Sequence, residues 1–153
     1  MENNEVFNEI RRTVTEWETA RSERRERKKA IIKEFGYDSP EYAAWSETDT
    51  ERPFPVSHGV KRAYRAWESS IEYGSNEFEF NDYTWDNDTT DFIDTLRKAG
   101  IKTMVMTCSS WALIDNLYAY VEEGCTIEGL AVVTRKNDFG RIRKMKGIRL
   151  RIN

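Results

Sequence analysis

The chain holds one histidine, two cysteines and twenty-seven carboxylates, and these decide which chemistries are open to it. A histidine acts as a general base when a second group orients its ring and a nucleophile lies within reach. His58 has no such company in the sequence, and no strand–turn–helix Gly-x-Ser-x-Gly element is present. It reads as a surface or capping residue at the boundary of a loop and a helix. Cys108, in Thr107-Cys108-Ser109-Ser110, stands between an expected strand and an expected helix. Amides at a helix start lower a thiol's pKa and attract anions, and open α/β sheets place ligands at strand carboxyl ends. A small thiol-dependent enzyme is the reading this placement allows. Against it, the loop has no glycine to admit a phosphate, and Ile114 stands where a cysteine phosphatase needs arginine. Cys108 therefore reads as a structural thiol, and Ser109 and Ser110 as helix caps.

The carboxylates cluster at Asp82, Asp86, Asp88 and Asp91. A calcium loop needs glycine at its sixth position and glutamate at its twelfth. Counted from Asp86, those positions hold Asp91 and Arg97, so the cluster reads as turn and capping chemistry. No phosphate-binding glycine loop and no Gly-x-Gly-x-x-Gly occurs. The expectation is no catalytic group, no metal and no cofactor.

Charge is the remaining signal. Net charge is −3, but residues 37–100 carry 14 acidic and 6 basic side chains, whereas residues 129–153 carry 8 basic and 1 acidic. Two basic segments could meet phosphates or an acidic partner: Arg21, Arg24, Arg25, Arg27 and Lys28 in RSERRERKK, and Arg141, Arg143, Lys144 and Lys146 near the C-terminus. The plain alternative is a solvated helix face and an edge strand guarded by positive charge. An acidic, aromatic strip is the counterpart: Glu77, Glu79, Asp82, Tyr83, Trp85, Asp86 and Asp88, within residues 76–96 that hold seven carboxylates and no basic residue. It could bind a basic groove, or be a strand and helix with a wet outer face.

The elements that must position these residues follow from periodicity. Phe7, Ile10, Val14 and Trp17 share one face of a long N-terminal helix, and the stripe returns at Ile31 and Phe35 before Gly36. Arg21, Arg24 and Lys28 occupy the stripe between, so the helix middle is expected to leave the domain surface or to face a partner. Ser39-Pro40 starts a short helix, residues 46–57 are loop, and residues 58–73 form a helix with Val60, Tyr64, Trp67 and Ile71 on one face. Residues 76–88 alternate as an extended edge with a bulge or turn at Asn81-Asp82. A helix capped by Asn87, Asp88 or Thr89 carries Phe92, Ile93 and Leu96. Residues 101–107 are a strand, and a helix carries Trp111, Leu113, Ile114, Leu117, Tyr118 and Val121. A strand over 126–135 then closes a βαβ unit whose strands should be parallel. KNDFG turns the chain into a last strand with Ile148, Leu150 and Ile152 facing a core and a bulge at Gly147.

The fold class expected is α/β, with α+β as the variant: a small three- to four-stranded mixed sheet with a βαβ unit and a C-terminal hairpin. Helices pack on the sheet, and a long basic helix stands at the start. Residues 1–36 would be the helix and 37–153 the α/β domain, together one folding unit. No apolar run reaches the roughly 20 residues that span a bilayer, and MENNEVFNEI is not a secretory leader. A cytoplasmic protein with reduced thiols is the expectation.

The C-terminal segments FIDTLRKAGIKTMVMTCSS, LIDNLYAYVEEGCTIEGLAVVTR and GIRLRI resemble small uncharacterised proteins of phages and integrative elements of gut Firmicutes. The resemblance covers about the last 60 residues and rests on fold-determining features. It implies a mobile-element accessory protein in a bacterial host cell. Such a protein would bind a host protein or a protein–nucleic acid complex through a charged surface, without enzymatic activity. An inhibitor of bacterial immunity of the anti-CRISPR type is the furthest form of that reading. Direct binding to nucleic acid is its alternative.

Overall fold

The computed structural model describes residues 2–153. Its elements are α1 (Glu5–Phe35), α2 (Pro40–Thr48), α3 (His58–Glu72), β1 (Glu79–Phe80), α4 (Thr89–Lys98), β2 (Thr103–Met106), α5 (Leu113–Glu122), β3 (Thr126–Lys136) and β4 (Ile142–Arg151). The chain forms two compact units, one of residues 2–9 with Val56–Asn153 and one of Ile10–Pro55.

The larger unit is α/β, with a four-stranded mixed sheet in the order β1-β2-β4-β3. β1 runs parallel to β2, with α4 between them in sequence. β4 is antiparallel to both β2 and β3. The strands either side of α5 are thus parallel in direction, as expected, but β4 is inserted between them. The parallel neighbours are instead β1 and β2. Alternation puts Phe78 and Phe80 on one sheet face, where Phe78 stacks on Phe7 at 6.5 Å and Phe80 packs on Phe92 at 4.5 Å between centroids. Trp67, Ile93, Leu96, Met104, Tyr120 and Leu150 fill the same core with no exposed surface. α3 packs closely on the start of α4 at Gly59, where a Cβ would collide with the Asp88 carbonyl.

The opposite face is rolled. Asn76, just before β1, donates its N–H to the Thr134 carbonyl (3.1 Å) and accepts from the Thr134 N–H through Oδ1 (2.9 Å). The Lys136 N–H reaches the Tyr73 carbonyl at 2.7 Å. The far end of the β3–β4 hairpin therefore curls back to the start of β1. Val105 and Val133 are fully buried inside this curl. Charge pairs line it: Arg149 with Glu77 (2.5 Å) and Arg135 with the buried Glu79 (3.6 Å).

The bulge expected at Gly147 lies elsewhere. Register shifts at Ile127/Gly129, with Gly129 at φ 131°, where glycine alone is unstrained. Gly147 stays in register opposite Ala131; a Cβ there would strike the Met106 carbonyl and approach Val105 Cγ1 to 2.9 Å. It serves close approach, not a bulge. The caps expected from side chains also differ. Asp88 makes no side-chain cap bond to α4, and α5 begins at Leu113 after an uncapped Ala112. Ser110 Oγ accepts from the Ala112 N–H at 3.2 Å, in the turn before the helix.

In the smaller unit, Gly36 (φ 90°) ends α1 and Ser39 Oγ caps α2 by accepting from Tyr42 N–H at 3.1 Å. Trp17 packs edge-on against Phe54 and donates Nε1–H to the Arg52 carbonyl at 3.1 Å, which ties the segment after α2 back to α1.

Candidate functional site

The loop between β1 and α4 is anchored from beneath by α5. Thr84 is buried, and its N–H and C=O both pair with the Asn116 carboxamide at 2.9 Å. Its hydroxyl meets the Tyr120 hydroxyl at 2.8 Å, and Tyr120 also donates to Asn116 Oδ1 at 3.2 Å. Burial pushes the Tyr120 phenol well above its ordinary range. With Thr84 pinned inward, its neighbours Tyr83 and Trp85 turn outward, as extended backbone requires.

There they meet Trp111. The Tyr83–Trp85, Tyr83–Trp111 and Trp85–Trp111 centroids lie 5.4, 6.1 and 6.2 Å apart. Trp85 is 50% and Trp111 74% exposed. Trp111 was expected on an apolar helix face with Ile114, Tyr118 and Val121. All four are exposed, and the buried side of α5 is Asn116, Leu117 and Tyr120. Ile114, Tyr118 and Val121 recur at helical spacing, so the outer side of α5 continues the aromatic cluster as one apolar stripe. No basic residue occurs in 76–96 or in 103–134, the two segments that supply this surface. Arg62 reaches it from α3, but it is engaged with Asp82 and lies over the Tyr83 ring at 5.4 Å.

The acidic candidates divide accordingly. Asp82, Tyr83, Trp85 and Asp86 lie at the surface cluster or beside it. Glu77 and Glu79 belong to the rolled face: Glu79 is bonded to Thr107 and paired with Arg135, and Glu77 holds the Arg149 guanidinium above its ordinary range. Asp88 is buried at the start of α4. Of the basic candidates, Arg141, Arg143, Lys144 and Lys146 are exposed on the β3–β4 hairpin, beside Phe139 and Ile142 at 89% and 74% exposure. Arg21, Arg24 and Arg27 line one cavity in the smaller unit, and Arg25 and Lys28 are not among its walls.

His58 is exposed at the first position of α3. Cys108 is half-buried after β2, five residues before Leu113, so the amides of α5 do not start at the thiol as the sequence suggested. Cys125 is buried, and burial raises its pKa. Among the described residues, no group of three His, Cys, Asp or Glu is placed to hold a metal ion, and no helix is long and apolar enough to cross a membrane.

The model of a domain of unknown function, DUF7698, matches residues 62–152, more than half of the chain. The chain belongs to the DUF7698 family. The match takes in α3 from Arg62 onward and β1 as well as the C-terminal segments, so the aromatic cluster and the rolled sheet both lie within the DUF7698 domain. No curated protein and no solved structure matches the chain.

Proposed function

We propose that this DUF7698 protein is a non-enzymatic binding protein. It docks a basic, apolar patch of a host protein, free or in a nucleic-acid complex, on the Tyr83–Trp85–Trp111 cluster and the outer stripe of α5. The observation that carries this is two tryptophans and a tyrosine gathered at the surface on a hydrogen-bonded support. Monomeric proteins rarely leave such contiguous apolar surface unused, and Trp and Tyr dominate binding energy at interfaces. The surrounding segments supply carboxylates and no unpaired cation, which favours a basic partner. A mobile-element accessory role, including counter-defence inhibition of the anti-CRISPR type in the bacterial cytoplasm, rests on the sequence resemblance alone.

The test is affinity capture from host lysate with the wild type, Trp111→Ala, and the triple variant Arg141→Ala/Arg143→Ala/Lys144→Ala. A stoichiometric partner should be recovered by the wild type and the hairpin variant, and lost by Trp111→Ala with its fold intact by circular dichroism. Retention by Trp111→Ala, or no stoichiometric partner at physiological salt, would sink the reading.

The exposed Arg141, Arg143, Lys144 and Lys146 favour nucleic-acid binding as a second reading. It expects a gel shift with mixed DNA or RNA that weakens steeply as salt rises. No shift at low salt removes it.

A further inference from the structure

In the smaller unit, α1 turns an arginine stripe inward. Trp17, Arg21 and Arg24 follow at four- and three-residue steps, so the guanidinium groups continue the line on which α1 otherwise carries apolar side chains. With the segment that follows α2, they wall a cavity of about 250 Å³. Arg27 and Arg52 complete the cationic lining, and Thr50 contributes a hydroxyl. Asp49 and Glu51 are the carboxylates present, so four arginines and two acids line the cavity and the lining keeps a balance of +2.

The acids do not neutralise the arginines evenly. Asp49 is bound to Arg24. Among the described residues no carboxylate pairs with Arg21, Arg27 or Arg52 within salt-bridge distance. Two of the guanidiniums are also held in place. Arg21 lies over the Trp17 ring at 5.2 Å and Arg24 over Trp45 at 5.7 Å. Stacking uses the faces of a guanidinium and leaves its N–H edge for an acceptor. Arg52 is fixed through its backbone, because its carbonyl accepts from Trp17 Nε1. Converging cations in a concave site cost energy unless an anion completes them, and arginine forks match phosphate oxygens bidentately.

We propose that this cavity binds a doubly charged phosphate group, as carried by a small phosphomonoester or by pyrophosphate. A terminal dianion suits a balance of +2 and a walled cavity. A backbone phosphodiester carries one charge and is substituted on both sides, so nucleic acid is the poorer fit.

The experiment is isothermal titration of the full chain with inorganic pyrophosphate, with ionic strength held constant by sodium chloride. A parallel titration uses an oligonucleotide that lacks terminal phosphates. The expected result is saturable binding of one pyrophosphate per chain, weakened about tenfold or more in Arg21→Ala and in Arg52→Ala. Arg25→Ala, on the same helix but outside the cavity, should bind as the wild type does. Circular dichroism of each variant separates lost binding from lost folding; the exposed Arg52 side chain makes Arg52→Ala the safer of the two. Heats that never saturate would overturn the proposal. So would an equal loss in Arg25→Ala, which would reduce the effect to the general field of a basic helix. Tighter binding of the oligonucleotide than of pyrophosphate would overturn it as well.

Discussion

At the scale of single residues, Tyr120 links stability to pH. Its hydroxyl is buried against Thr84 and Asn116, and burial raises its pKa above the ordinary value of 10.0. Below pH 10 both folded and unfolded chains keep the phenolic proton, so the contribution is constant. Above it the unfolded chain releases a proton that the folded chain retains, and stability falls by about 1.4 kcal/mol per pH unit. Tyr120→Phe should remove that slope and cost roughly 1–2 kcal/mol at neutral pH through its lost hydrogen bonds. Urea unfolding of both proteins at pH 7 and at alkaline pH measures the two effects, and parallel alkaline slopes would contradict the assignment. Gly147→Ala is a second single-residue case. The added methyl meets the Met106 carbonyl and Val105, so we expect a loss of roughly 1–3 kcal/mol by the same measurement.

At the scale of elements, α5 does two jobs with opposite sides. Its inner side carries Leu117 and Tyr120 into the core, with Asn116 holding the loop before α4. Its outer side carries the exposed stripe. The two are coupled, because Asn116 fixes Thr84 and so fixes where Tyr83 and Trp85 emerge. Asn116→Ala leaves both backbone groups of Thr84 without their partner, at roughly 1–3 kcal/mol. It should raise hydrogen exchange across residues 81–88 while β3 and β4 stay protected, and it should weaken partner binding although Asn116 itself is buried. Unchanged exchange in that loop would mean the carboxamide does not position the cluster. The α3–α4 crossing at Gly59 has the same logic: Gly59→Ala forces the helices apart.

At the scale of the whole molecule, part of the segregated charge is already used within the larger unit. Arg149–Glu77 and Arg135–Glu79 join basic β4 and β3 to the acidic segment at β1, and Arg151–Glu128 ties β4 to β3. What remains is an acidic, aromatic surface and a basic hairpin. Docking on the former, as proposed, would join an apolar contact to a screened field. Raising salt from about 0.1 M to 1 M shortens the Debye length from about 10 Å to about 3 Å. Association of the captured partner should slow several-fold while dissociation changes little, as followed by surface plasmon resonance. A dissociation rate that rises as steeply as association falls would instead point to a purely ionic complex.

The sequence by itself determined the helices and most of their ends. Gly36, Gly74, Gly100 and Gly124 all sit at positive φ just past helices that periodicity had placed, because a left-handed terminus favours glycine wherever it occurs. It also determined the C-terminal hairpin, whose alternation is local. Only the tertiary structure decided that β4 enters between the strands flanking α5, since strand order depends on pairing between distant segments. Only it decided which apolar residues of α5 are buried. Trp111, Ile114, Leu117, Tyr118, Tyr120 and Val121 surround the helix on more than one side, and a 3.6-residue period cannot choose among faces that are all apolar. The arginine cavity was half legible. Arg21 and Arg24 stood out as cations on an apolar stripe, but Arg52, Asp49 and Thr50 join them through the fold of the segment after α2, which no spacing in the chain encodes.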